Sequence, residues 1–405
     1  MRPMHIPSDE LRQELLSTSG FARFVRSCGT HGLETTLILK ESTLTLKYLI
    51  RRAQLTILIK QLASGKVLYA VLVDEYDSKP VAAWSLIESE DELFALTDLA
   101  RLQYFPLFLF NEACVNVCWT NVHCEMLTSL DSIIRRPLVF SSRIRSQEES
   151  NEAVAAIDLA LSGDTPIVAL RTIEPLKWNE VTNHYITNQL VTSPIGILTE
   201  NEGDQQEELC TWLLDNLSPS GAYKGPQVQE AKKQRELTDV LMNYPGGCFL
   251  IESKTLAVFE RDELPARPKL RKNVLKNINK ALDQLPGACR NVYAKLEITS
   301  STGSVISINT TMPPHCIVLV PELSLLTPED NLGGTLLKQF MLQHKAYLHI
   351  LDPSELMNLM RAAGHMAFLG KETSRMMAFD VMLIERWERA LQTETAHFRL
   401  ITQFV

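Results

Sequence analysis

None of the eight cysteines in this 405-residue chain is spaced as Cys-x-x-Cys, which removes the dithiol redox motif and the paired knuckles of most structural zinc sites. The tightest grouping is Cys114, Cys118, His123 and Cys124 in NEACVNVCWTNVHC. It lacks a second knuckle across a loop, so small residues on a buried strand explain it better. Cys248, Cys289 and Cys316 stand singly among apolar neighbours, as reduced core thiols do. GxSxG and GxGxxG are absent, so serine-hydrolase and dinucleotide-binding readings have no entry motif. GHMAFLGKET (364–373) falls short of a phosphate loop, because five residues separate Gly364 from Gly370 and Lys371 is followed by Glu372. No stretch approaches the roughly 18 apolar residues of a membrane span. The opening MRPMHIPSDELRQELL has no apolar run behind its basic residue, and we read the chain as cytoplasmic. Internal repeats and low-complexity segments are also missing.

What is present is the composition of a folded protein, 45% hydrophobic and 22% charged. The length exceeds what one core usually serves, so two domains are expected. The net charge of −8 argues at first against a polyanionic partner. Its distribution argues otherwise. Residues 266–295 carry Arg267, Lys269, Arg271, Lys272, Lys276, Lys280, Arg290 and Lys295 against the single acid Asp283, a local +7 that leaves −15 on the rest. A basic face on an acidic protein can bind phosphate while its surroundings repel it. Lys269, Arg271, Lys272, Lys276 and Lys280 are the expected nucleic-acid contacts.

Between about residues 35 and 120 the chain reads as strands, TTLILK, QLTILIKQL, KVLYAVLVDEY, VAAWSLI and FPLFLFNEACVNVCW, with breaks at Ser64-Gly65 and Ser78-Lys79-Pro80. One helix, LFALTDLARL, opens at Ser89 with Glu92 completing a capping box. Asp74, Glu75 and Asp77 read as turn and surface residues. Residues 143–165 look helical, and TSPIGILTENEGDQQ (192–206) suits a boundary. We therefore expect an α+β domain on a largely antiparallel sheet over 1–200, serving as a sensor, a partner-binding or oligomerisation module, or a substrate-recognition domain. Over 201–405 the order is helix (EELCTWLLDNL), strand hairpin (237–259), basic helix (267–285) and strand (HCIVLVPELSLL). A further strand (AYLHIL) follows, then a helix that Asp352, Pro353 and Glu355 open, and the amphipathic RMMAFDVMLIERWERAL as a helical extension.

The hairpin carries the chemistry. Glu252 and Lys254 lie two apart on an apolar strand and share a face. A reversal about Pro245-Gly246 that sets Tyr244 against Gly247 also sets Asp239 against Glu252. Opposed residues have Cβ atoms roughly 4.5–5.5 Å apart, and two carboxylates that close repel unless a cation or proton intervenes. The plainer reading is a solvated strand face with Asp239 at a strand end. The hairpin register, the apolar strand and the basic segment directly after it favour a site.

Asp239, then Glu252-x-Lys254 on adjacent strands, followed by a basic helix, resemble the PD-(D/E)xK nuclease superfamily over about residues 205–352. Thr238 stands where the family's proline would be. The resemblance implies an α/β domain over 201–405, a restriction-endonuclease-like mixed sheet flanked by helices, that cleaves phosphodiester bonds of DNA, with RNA not excluded. It implies Mg²⁺ or Mn²⁺ held by Asp239 and Glu252, with the Ser253 carbonyl as a further donor and Lys254 beside the reacting water. The family's first-helix acid corresponds to Glu208, or alternatively Glu207, and its auxiliary polar position to Gln284, with Lys280 nearby. Coupling such a nuclease to a sensor suggests bacterial restriction or antiviral defence. The rival expectation is a non-catalytic interaction protein that keeps the nuclease-like scaffold.

Overall fold

A computed structural model describes residues 5–399 except 19, 30–31, 52–54, 74–79, 100, 125–133, 135, 143–145, 164–168, 188–191, 200, 219–220, 231–232, 257, 260–264 and 371–372. Asp74, Glu75 and Asp77, the Ser78-Lys79 turn, and Lys371 and Glu372 lie outside the described residues. The chain divides into two compact units, 1–182 with 196–198, and 183–195 with 199–405.

The first unit contains helices α1 (Asp9–Ser17), α2 (Thr43–Arg51), α3 (Glu90–Leu99) and α4 (Gln147–Leu161). Its strands are β1 (Phe21–Gly29), β2 (Gly32–Lys40), β3 (Leu55–Gln61), β4 (Val67–Val73), β5 (Val81–Leu86), β6 (Tyr104–Phe110), β7 (Asn116–Cys124), β8 (Ala169–Pro175) and β9 (Asn179–Glu180). They form one sheet in the order β1-β2-β6-β7-β8-β3-β4-β5, with β9 against β7. Among the described residues only the β2–β6 pairing of this sheet is parallel. The sheet curls until its end strands meet, Arg23 of β1 reaching the Leu86 carbonyl of β5 at 3.5 Å.

This curl explains why VLYAVLV has no polar alternation. Val67, Tyr69, Val71 and Val73 face one apolar core with Ile57 and Ile59, while Leu68, Ala70 and Leu72 are covered from the other side by Ala153, Ala156, Ile157 and Ala160 of α4. A strand buried on both faces reads as a continuous apolar run. Cys118 and Cys124 are buried on β7, and His123 packs on Tyr104 at a ring separation of 5.0 Å. The expected capping box is half made. Ser89 Oγ accepts the Glu92 N–H at 3.3 Å, but the buried Glu92 carboxylate accepts from the Glu88 N–H (2.8 Å), Arg23 (2.5 Å) and the Tyr69 hydroxyl. A desolvated arginine draws the carboxylate more strongly than the helix start does.

The second unit opens with the hairpin β10 (Asn183–Ile186) and β11 (Thr192–Ile195), then α5 (Glu202–Asp215). Strands β12 (Ala222–Lys224), β13 (Gln227–Glu230), β14 (Lys233–Glu236), β15 (Val240–Tyr244) and β16 (Gly247–Ser253) precede the long helix α6 (Arg267–Tyr293). After it come β17 (Ile298–Thr299), β18 (His315–Leu319), α7 (Gly334–His344), β19 (Tyr347–Leu351), α8 (Pro353–Leu369) and α9 (Arg375–Thr393). A five-stranded mixed sheet runs β12-β15-β16-β18-β19, antiparallel across β12, β15 and β16 and parallel across β16, β18 and β19. The parallel pairs need crossovers, which the segments containing α6 and α7 supply. Strands β16 and β18 are buried throughout, as central strands under helices are. A small sheet β14-β13-β17 stands apart from the main one.

The β15–β16 register pairs Tyr244 with Gly247 and Val240 with Ile251, so Asp239 and Glu252 are the next opposed residues. Helix α6 extends past the expected segment. Leu270, Val274, Ile278, Ala281, Leu285, Ala288 and Val292 form its buried stripe, and Lys269, Lys272, Lys276 and Lys280 are exposed. At about 100° per residue, Lys269, Lys276, Lys280 and the buried Gly287 project to one side away from the stripe, with Lys272 and Arg290 next to them and Gln284 at the stripe's edge.

Candidate active site

Strand β16 ends in Glu252-Ser253, and Lys254 follows. Because β16 is a central strand, Glu252 is carried inward and only 2% exposed. A lone buried carboxylate is costly, and its neighbours offset that cost. Lys254 Nζ lies 2.6 Å from Glu252 Oε2 and 3.2 Å from Asp239 Oδ2. Asp239, in the bend before β15, also accepts the Ser253 N–H at 2.7 Å. The hydroxyl of Thr238 donates to the Ile251 carbonyl at 2.7 Å, fixing the bend against β16. From α5, Gln206 Nε2 reaches Ser253 Oγ (3.0 Å) and the Leu319 carbonyl (3.2 Å), tying the helix to the strand ends.

The structure therefore brings Asp239, Glu252 and Lys254 together. A cleft of about 250 Å³ opens beside them, lined by Glu236, Asp239, Glu252, Asp283 and Gln284 among others. Gln284 thus shares a cavity with both hairpin acids. Of the two α5 acids, Glu208 bonds to Ser193 Oγ (2.6 Å) and Lys224 Nζ (2.8 Å). Glu207 is the one that senses Asp239: burial, and then the Asp239 charge, push its carboxyl up to about 7. Along α6, Lys269, Lys272, Lys276 and Lys280 stay exposed, but Arg271 is committed to Asp330 (2.6 and 3.3 Å) and Thr327. Its role is to pin the 327–330 turn onto the helix.

Sequence reasoning missed Glu236, Arg235 and Lys224, and named Arg290 as part of the basic segment without making it a contact. Glu236 lines the cleft, and its carboxyl is raised by burial and then by Asp239. The Glu252 carboxyl is raised for the same two reasons, against the pull of Lys254 and Thr238. Burial works against the Lys254 charge, but the Glu252 hydrogen bond and the Asp239 field outweigh it and raise its pKa. Three carboxyl groups are thus held above their ordinary range, each with Asp239 as the second cause. Such a concentration of negative field favours a cation.

Among the described residues, no three His, Cys, Asp or Glu side chains form a ready metal cage. Mg²⁺ does not require one, since it is commonly held by one or two carboxylates and keeps several waters. Asp239 and Glu252, both hard oxygen donors in contact with one ammonium, fit that chemistry. Comparison with known protein families, curated proteins and solved structures finds no match for this chain.

Proposed function

We propose that the second unit is a metal-dependent nuclease of PD-(D/E)xK type acting on DNA. The observation that carries this reading is the convergence of Asp239, Glu252 and Lys254 beside a cleft that also takes in Gln284. The exposed lysine face of α6, which continues to Gln284, supports it as a track for the phosphate backbone. Asp239 and Glu252 would hold Mg²⁺ or Mn²⁺. The ion supplies charge neutralisation at the scissile phosphate and a bound water of lowered pKa. Lys254 presents a compact ammonium that orients the attacking water and meets the charge growing on phosphate oxygens. Glu207, with a carboxyl near 7, can exchange a proton at working pH. Gln284 offers one donor and one acceptor group on the cleft wall. The first unit would then recognise a trigger, a partner or a substrate, as in restriction or antiviral defence.

One observation favours a second reading. Lys254 already bridges both acids, as it would in a non-catalytic scaffold. Asp239→Asn and Glu252→Gln separate the two. Asn keeps an acceptor for the Ser253 N–H, so the strand end is preserved while a metal-binding charge is lost. Under the nuclease reading both variants lose at least about a hundredfold in Mg²⁺-dependent DNA cleavage and retain the far-UV circular dichroism of the parent. Undiminished cleavage by either would remove the assignment.

A further inference from the structure

Gly287 lies on α6 at the floor of the cleft, on the same helical face as Lys269, Lys276 and Lys280. An ideal Cβ on Gly287 would stand 3.7 Å from Arg235 Nη2 and 3.8 Å from Arg290 Nη2, with nothing else within 4 Å. Two guanidinium groups from different elements, the edge strand β14 and helix α6, therefore converge over one Cα that carries no side chain. Both arginines line the cleft that contains Asp239 and Glu252.

The pair is arranged rather than incidental. Glu230 on β13 bonds the Arg235 guanidinium, and its Oε1 also accepts Asn291 Nδ2 at 2.8 Å. Asn291 belongs to α6, so Glu230 locks β14 to the helix and holds Arg235 in place. No acid among the described residues pairs with Arg290, which is exposed. Glu230 balances the Arg235 charge, which leaves the Arg290 charge unbalanced beside it and open to an anion. Glu236, Asp239, Glu252 and Asp283 also line the cleft, so a phosphate is repelled from their side and drawn to the guanidinium side beside Gly287.

We propose that Arg235 and Arg290 clamp a phosphate of the bound strand adjacent to the one at Asp239 and Glu252, with Gly287 leaving the room it needs. Guanidinium forks match phosphate oxygens by paired hydrogen bonds. The proposal rests on the nuclease reading above and adds where the substrate backbone is gripped. Arg235 and Arg290 are positioning residues, expected to act on affinity and KM more than on kcat.

The test uses the full chain with a fluorescein-labelled 12-nucleotide DNA strand. Anisotropy in EDTA across a salt series gives affinity and its salt slope, and Mg²⁺-dependent cleavage gives KM and kcat. Arg235→Gln and Arg290→Gln should each weaken binding about tenfold or more, lower the magnitude of the slope by about 0.7, and raise KM with kcat little changed. Gly287→Ala supplies the control for folding. Ala is favoured over Gly inside a helix and meets only the arginine tips, so its melting temperature should not fall while its DNA affinity does. If the parent binds and cleaves DNA but all three variants keep its KM and salt slope, the clamp is wrong and the nuclease reading stands. If the parent neither binds nor cleaves, both fall together.

Discussion

Replacing Lys254 with Met, which keeps the volume and removes the charge, should leave Glu252 and Asp239 facing each other without a cation. At an effective dielectric of about 20, the Lys254 contacts at 2.6 and 3.2 Å correspond to gross attractions of about 6 and about 5 kcal/mol. The net loss is smaller, because removing the ammonium also removes its desolvation cost and Asp239 is partly exposed. Removing one partner of a buried pair typically costs about 3–5 kcal/mol, and we expect about 3 at pH 7.5. For a unit of this size that is a fall of about 6–12 °C in melting temperature. The pH dependence has a definite sign. The Glu252 carboxyl is already raised by burial and Asp239, and without Lys254 it rises further. A raised carboxyl binds more protons folded than unfolded, so the variant loses stability as pH climbs from the unfolded value through the folded one. The penalty should therefore shrink toward pH 5. Mn²⁺ should restore the variant more than the parent, since a dication takes the place of the missing ammonium. Calorimetry in EDTA at pH 5 and 7.5, then with Mn²⁺, reads all three effects. A variant that melts within about 1 °C of the parent at pH 7.5 would refute the electrostatic reasoning.

Glu207→Gln removes a carboxyl pushed up to about 7. It should raise the melting temperature at pH 8, where the parent carries that charge at a cost, and leave pH 5 nearly unchanged; an equal effect at both would contradict the cause assigned. The triple variant Lys269→Gln, Lys276→Gln, Lys280→Gln should reduce the log-salt slope of duplex DNA binding by up to about 0.9 per lost phosphate contact, whereas an unaltered slope would make that face an ordinary solvated one. Arg271→Gln, in contrast, should lower stability more than DNA affinity, since Arg271 is bonded to Asp330 and Thr327. Tyr244→Phe takes a hydrogen bond of 2.6 Å from the buried Asp380, which also faces His315 at 2.9 Å. It should cost about 1–2 kcal/mol in urea unfolding, and no shift of the midpoint would show the network to be dispensable.

The register of the β15–β16 hairpin was legible because strand side chains alternate with period two and the Pro245-Gly246 turn fixes the pairing. The order of strands and helices came from the apolar runs and the basic amphipathic segment, and the mixed sheet under helices was the expectation carried by the resemblance to the nuclease superfamily. Less could be read where function depends on elements distant in sequence. Arg235 and Arg290 are 55 positions apart and meet only once β14 and α6 are placed. Arg271 is drawn away by Asp330, 59 residues on, which a charge run alone cannot reveal. Whether Glu207 or Glu208 faces Asp239 depends on the rotation of α5, and one residue is about 100° of that rotation. The strand β14, KQRE, is fully exposed and carries no apolar alternation, so nothing in its pattern marks it as a strand. Helix α7 and strand β1 were likewise not anticipated. Glu92 was misread as a cap partner because its real partners, Arg23 and Tyr69, come from other strands.

The nuclease assignment is tested most directly by titrating Mg²⁺ and Mn²⁺ from an EDTA-treated sample into the full chain mixed with plasmid DNA, linear DNA and RNA, alongside Glu252→Gln. Metal-dependent loss of intact DNA with the parent, abolished by EDTA and by the variant, is the result expected; loss of RNA alone would keep the chemistry and change the substrate. A parent chain that cleaves none of the three at any metal concentration, and binds Mn²⁺ no better than Glu252→Gln does, would contradict it.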